Sequence, residues 1–247
     1  MLSTSVDSRF AMIGVGQPGQ QGGPTQQNLE LGVGSSAGTG GTALGYHASA
    51  GSDSVAVGTN AFAAGPNDTA VGFGAMVNAT NGTALGSGAT VNGVGGTALG
   101  ANAVVNANGG TAIGAGATVA AGATNAIAIG NGSVATRPNS ISFGGPTVGD
   151  RTLTGIAAGT GPNDAANFGQ VQKAYSGVAM AFALTATQPT LATGEQSLSA
   201  GAGVFQDQWG FSLKYEARPS DRWFIGAGVT VGSDNDWGGN AGIGFKW

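Results

Sequence analysis

From about Leu31 the chain repeats a tetrad: a small residue, alanine, an aliphatic residue and glycine. It reads Thr42-Ala43-Leu44-Gly45 and Val55-Ala56-Val57-Gly58. It recurs at Thr69–Gly72, Thr83–Gly86, Thr97–Gly100, Thr111–Gly114 and Ile127–Gly130, and a looser copy, Ile141-Ser142-Phe143-Gly144, closes the series. The tetrad glycines are spaced 13, 14, 14, 14, 14, 16 and 14 residues apart. A second ladder follows each glycine at three and five residues: Ala48/Ala50, Ala61/Ala63, Ala75/Val77, Ala89/Val91, Ala103/Val105, Ala117/Val119 and Ser133/Ala135. A fixed period this short predicts one solenoid coil per repeat. Fourteen residues hold two strands of about five residues and two tight turns, with glycine and asparagine supplying the positive φ of the turns. The aliphatic residue of each tetrad is expected to point inward and stack on its equivalents. Such a coil buries little area, so side-by-side association is expected. Residues 69–136 carry no charge, so these faces can meet without burying unpaired charge.

Composition narrows the function. The 247 residues include 49 glycines, no cysteine, 8 basic and 12 acidic side chains. Glycine without a strict Gly-X-Y period excludes collagen. The lack of cysteine excludes disulfides and thiolate chemistry, and no apolar run reaches the length of a transmembrane helix. A net charge of −4 argues against nucleic acid as a partner. His47 is the only histidine, and it reads as an exposed repeat-turn residue. Gly-x-Gly-x-x-Gly look-alikes arise by chance from so many glycines, and no crossover helix follows them. Asp53 and Asp68 fall in turns and are expected to be solvated. No catalytic set, cofactor site or metal site is therefore expected.

Residues 1–30 read as a flexible lead-in, rich in Gly, Gln and Pro from Gly14 to Asn28. Met1–Phe10 has neither the basic nor the apolar region of a secretory signal. An exported protein would then have lost its signal, or the start is truncated.

The last fifty residues, from Gln196 to Trp247, read as four strands of about ten residues, the span of a tilted strand across a bilayer. One parity is apolar: Leu198, Ala200, Ala202, Val204; Trp209, Phe211, Leu213, Tyr215; Trp223, Ile225, Ala227, Val229, Val231; Ala241, Ile243, Phe245, Trp247. The other is small or polar: Ser197, Ser199, Gly201, Gly203; Gly210, Ser212, Lys214, Glu216; Gly226, Gly228, Thr230; Gly242, Gly244, Lys246. The alternation gives each strand one apolar face. A soluble sheet with one face on a core is one reading; a membrane barrel with lipid on that face is the other. The aromatics favour the barrel. Trp209, Tyr215, Trp223, Trp237 and Trp247 lie at or near strand ends, where interfacial girdles sit.

Between these regions, Gly149-Asp150-Arg151-Thr152-Leu153 brings charge back. Pro162-Asn163-Asp164 resembles a helix start, with Asn163 or Asp164 as N-cap. A helix is predicted from Ala165 to about Ala186, ahead of Pro189. Its second half, Gly177–Ala183, is small and apolar, as suits burial in something narrow. Four strands leave two open edges, which lipid does not tolerate. Eight strands enclose only side chains and cannot also hold two helices about 10–12 Å across. That excludes a monomer and disfavours a dimer.

In this order the pieces resemble the trimeric autotransporter adhesins, the YadA-like family. The tetrads resemble its head repeats. Arg151, Leu153, Ile156, Ala157, Gly159, Asp164, Ala165, Asn167 and Gln170 resemble its neck signature, with Ala166, Val171 and Pro162-Asn163 as departures and almost no stalk. The resemblance implies an all-β fold with one helix per chain: a left-handed parallel β-roll head (31–145), a neck (146–163), an anchor helix (164–187) and a four-stranded barrel segment (196–247). It also implies a homotrimer, with a shared 12-stranded outer-membrane barrel filled by three helices and the head displayed on the cell surface. Gly177 matches the family's pore-facing helix glycine, tied to passage of the passenger. Trp247 matches the terminal aromatic read by the barrel assembly machinery, with Phe245 just before it. Implied partners are outer-membrane lipid, that machinery and host extracellular-matrix proteins. The expected function is adhesion through the head. The alternative is a structural surface protein that mediates cell–cell autoaggregation.

Overall fold

The computed structural model describes residues 13–15, 28–186, 189–233 and 235–247. The chain divides into two compact units, Met1–Thr152 and Leu153–Trp247. Among the described residues all regular structure is strand except one helix, Phe168–Thr185.

The first unit is a two-sheet solenoid. Each tetrad contributes a strand such as Thr83–Leu85, and each second ladder a shorter one such as Thr90–Val91. Both are shorter than five residues, because the turns take up the rest of the period. The strands pair in parallel and in register: Thr83 with Thr97, Ala84 with Ala98 and Leu85 with Leu99 in one sheet, Thr90 with Val104 in the other. Residues one period apart in sequence thus become neighbours across a strand spacing.

The core corrects one expectation. It is the alanine of each tetrad that points inward: Ala56, Ala70, Ala84, Ala98, Ala112 and Ala128 are fully buried, whereas Leu44, Leu85, Leu99 and Ile113 are exposed. Strand alternation puts the first and third residues of the tetrad on one face and the alanine on the other. The interior must also hold both second-ladder residues, for example Ala89 and Val91. Alanine fits that gap and leucine does not. The largest apolar side chains fully buried are Val77, Val91, Val105 and Val119.

The tetrad glycine is required by close approach. Gly45 has φ +137°, and a Cβ on it would lie 2.6 Å from Gly58 of the next coil. Asparagines stack outside: the Asn78 amide donates to Asn92 Oδ1 and the Asn92 amide to Asn106 Oδ1, each at 2.7 Å. Asp53 is exposed in its turn. Asp68, expected to be solvated, is buried. Its carboxylate accepts from the Gly65 N–H at 2.7 Å and from the Gly82 N–H, one coil on, at 2.9 Å. Backbone donors that no strand partner reaches draw the carboxylate inside.

Of the lead-in, Ile13–Val15 forms a strand antiparallel to Leu29–Leu31, so the first coil has a partner on that side. The rest of residues 1–27 lies outside the described residues.

The second unit is the helix and four antiparallel strands in sequence order: Gln196–Phe205, Gln208–Ala217, Trp223–Gly232 and Trp237–Phe245. The helix begins three residues later than expected, and its N-cap is Asn167, not Asn163 or Asp164. Asn167 Oδ1 accepts from the Gln170 N–H at 3.1 Å, and Gln170 Oε1 accepts from the Asn167 N–H at 3.2 Å. This reciprocal capping box outcompetes the earlier candidates. Asp164 closes the preceding turn, accepting from the N–H groups of Gly161 and Thr160 at 2.8 and 2.9 Å.

Candidate membrane anchor and neck

The anchor sheet carries its apolar residues on one face. Leu198, Val204, Phe211, Leu213, Ile225, Val229 and Ile243 are exposed, while Gly203, Gly210, Ser212, Gly228 and Thr230 of the opposite parity are buried. The register aligns the outer residues across strands, with Ala202 opposite Phe211, Leu213 opposite Val229 and Ile225 opposite Ile243. A core of the chain's own making would sit against that apolar face. Here the one helix among the described residues lies against the other face.

The helix makes that contact through small residues. Ser176, Ala179 and Ala183 are its buried stripe, at the i, i+3, i+7 spacing of a single face. The sheet meets them with glycine: a Cβ on Gly210 would lie 2.6 Å from Met180 N, and one on Gly201 or Gly203 would run into the Ala183 or Ala179 carbonyl. Ser212 Oγ donates to the Ala183 carbonyl at 2.7 Å. The inner face also holds an ion pair, Lys214 Nζ to Glu216 Oε1 at 2.8 Å. Alternation placed both residues on this face; their pairing needed the fold. The helix covers the first two strands and reaches the third. The inner face of the fourth stays bare: Gly242 and Gly244 are exposed, and a Cβ on Gly242 would meet nothing within 4 Å. Gly177 is exposed on the helix with equally open surroundings.

The aromatic side chains form two rims. Trp209 begins the second strand and Trp237 the fourth, beside the turns after Phe205 and Gly232. Tyr215, Trp223, Phe245 and Trp247 lie at the other end. Trp223 pairs with Phe245, their ring centroids 5.0 Å apart, and the Tyr215 hydroxyl donates to Gln196 Oε1 at 2.8 Å. Polar tips on apolar rings suit a water–lipid boundary.

The neck residues fall into two groups. Arg151 closes the last solenoid coil: its guanidinium donates to Ser133 Oγ at 2.9 Å, to the Asn131 carbonyl at 2.7 Å and to the Phe143 carbonyl. Asn167 and Gln170 clamp the segment before the helix. The Gln170 amide accepts from the Gly159 N–H and donates to the Gly159 carbonyl, both at 2.9 Å, and the Asn167 amide donates to the Ile156 carbonyl at 3.2 Å. The backbone N–H groups of Gly161 and Thr160 hold the Asp164 carboxyl below the ordinary carboxylate range. His47 stands exposed in a turn at φ 53°, a conformation that Asn60 and Gly74 adopt in the equivalent turns. Among the described residues there is no cluster of three metal-ligating side chains, and no helix is long and apolar enough to cross a membrane.

Comparison with known proteins gives these features a family. Residues 188–247 match the family model of the YadA-like membrane anchor domain. The YadA head domain repeat matches in overlapping copies from residue 36 to 117 and again over 121–145. A solved structure, the collagen-binding domain of the Yersinia adhesin YadA, is 33% identical; the match covers 60% of this chain and 74% of that one, with a TM-score of 0.45. No curated protein matches. A 12-stranded trimeric barrel is consistent with the anchor family, which forms homotrimers. With head repeats and an anchor domain in one chain, the protein is a surface adhesin held in the outer membrane with its head exposed, and it belongs to the YadA-like trimeric autotransporter adhesins.

Proposed function

We propose that three copies of this chain build one 12-stranded barrel around three helices, and that the heads they display bind host or matrix surfaces without catalysis. The bare inner face of the fourth strand carries the assembly part of this reading. One helix covers half of its own sheet, and Gly242 and Gly244 on the inner face of the fourth strand stay exposed. A neighbouring chain's helix fills the space beside Gly242. The first and fourth strands each have an unpaired edge, and lipid forces those edges to meet a neighbour.

In this reading residues 31–145 are the head and 146–163 the neck, whose signature residues Arg151, Asp164, Asn167 and Gln170 run on into the helix start; Phe168–Thr185 is the helix and 196–247 the barrel segment. Trp209, Tyr215, Trp223 and Trp237 anchor in the lipid interface. Phe245 and Trp247 are the aromatics recognised by the barrel assembly machinery, and Gly177 lines the path taken by the passenger. Gly177→Leu then slows surface display of the head while the barrel still inserts; unchanged protease accessibility of the head on intact cells refutes that role.

Cells displaying the chain should bind immobilised matrix proteins, including the collagen named for the Yersinia domain, in proportion to head exposure. Clumping of the cells with no capture would favour the autoaggregation alternative.

A further inference from the structure

The turn after each tetrad glycine forms a column along one edge of the solenoid. Its first residue is Tyr46, Thr59, Phe73, Ser87 and Ala101 in successive coils. Backbone hydrogen bonds hold the column in register: the Asn60 N–H donates to the Tyr46 carbonyl and the Gly74 N–H to the Thr59 carbonyl, both at 2.9 Å. Stacked strands advance about 4.8 Å per coil, so Tyr46 and Phe73, two coils apart, are offset by about 10 Å. Tyr46 is 53% exposed and Phe73 64%. A lone exposed aromatic needs no explanation. Two on one rigid frame, in the same column of turns, present residues of the kind that anchor recognition. Polar groups stand among them. The His47 ring meets Tyr46 edge-on with centroids 4.2 Å apart, and the Thr59 hydroxyl and the exposed Asn60 amide lie in the intervening coil. None of these turn residues carries a formal charge.

We infer that this edge binds a neutral, extended β-linked oligosaccharide. The inference rests on the adhesin reading and names the ligand class. The C–H face of a pyranose ring packs on an exposed aromatic ring, and its hydroxyls take uncharged donors and acceptors such as Thr59, Asn60 and His47. Aromatic platforms at a fixed interval on a stiff frame suit a polymer that presents the same face at regular intervals. Tyrosine and phenylalanine also lose little side-chain entropy on contact. A protein partner fits this edge less well, because charge complementarity sets register between proteins and the edge has none.

The test uses the full-length protein in detergent, with cellohexaose, chitohexaose and a triple-helical collagen peptide as probes for calorimetry. Tyr46→Ala or Phe73→Ala weakens hexasaccharide binding about tenfold, as expected for loss of a hot-spot ring. The double variant abolishes it, and Ala115→Ser, three coils beyond Phe73, leaves it unchanged. All three side chains are away from the core, and matching thermal melts confirm that the variants fold. Wild-type protein that binds neither hexasaccharide overturns the inference, as does binding that survives the double substitution. Binding to the collagen peptide alone, lost in the double variant, overturns it in favour of a polypeptide ligand. If sugar binding fails while cells still capture matrix proteins, the adhesin reading stands and the glycan assignment falls.

Discussion

Head and anchor are both built from small residues, and they use them for opposite ends. In the head, Ala84 and Ala98 point into a core that each chain completes alone, because the next coil always supplies the neighbour. In the anchor, Gly201, Gly203 and Gly210 clear space for a helix that covers half of its own sheet. The interior of each head coil is filled within one chain, while its outer ladder of Leu85, Leu99 and Ile113 stays exposed; the inner face of the anchor sheet is not filled. Smallness therefore has no fixed meaning in a sequence. A stack of alanines at a constant period packs against itself, whereas glycine on alternate strand positions awaits something larger.

Substitutions that act on one region and spare the other sharpen this contrast. The largest effect is expected on the lipid face. Ala227→Arg costs about 2–4 kcal/mol per copy near the membrane midplane and is repeated three times in the trimer, so heat-resistant trimer on unboiled gels should vanish. Gly242→Ser adds only a small hydroxymethyl group on the inner face, where the neighbouring helix packs, and should be milder than a charge held in lipid. Equal tolerance of both would reverse the assigned faces.

Next is Ala98→Leu, which overfills a coil core and costs about 1–3 kcal/mol. Amide exchange should accelerate in the coils around residue 98 while the trimer band persists; loss of both together would mean that the two regions are not independent. Asp68→Ala removes the acceptor for two backbone donors. Leaving them unpaired costs about 1–3 kcal/mol, and faster exchange at Gly65 and Gly82 is the readout.

The smallest effect is on pH. The folded-state pKa of Asp164 is lowered, so its contribution is present at neutral pH and is lost as pH falls through that lowered value. Below about pH 4 the amides of Gly161 and Thr160 should lose protection, and Asp164→Asn should remove that pH dependence. A wild-type profile that stays flat into strong acid counts against the turn's reliance on the carboxylate.

Much of the fold was legible because it is periodic. The spacing of the tetrad glycines gave the coils, and the parity of the last fifty residues gave four strands with their faces. Orientation inside the coil was not legible. Within Thr83-Ala84-Leu85, hydrophobicity favours the leucine as the core residue, and only the narrowness of the assembled coil hands that place to alanine. Asp68 misled for a related reason: a charged residue in a turn reads as solvated until the stacked coil shows two N–H groups with no other acceptor. The helix start was masked by Pro162-Asn163-Asp164, a plausible cap that serves a turn, while Asn167 and Gln170 carry the reciprocal bonds. Tyr46 and Phe73 share one offset after the tetrad glycine, and a search of the repeat by column would have found them.

The identical register of successive coils makes the head a ruler. Thr69 pairs with Thr83 as Thr83 pairs with Thr97, so excising residues 83–96 would bring Thr97 against Thr69 and leave the surviving hydrogen-bond pattern intact. The length of the head can therefore change only in whole steps of one strand spacing, about 4.8 Å. Lineages can lengthen or shorten such a head by unequal crossing-over between repeats, with no new packing problem to solve at each step.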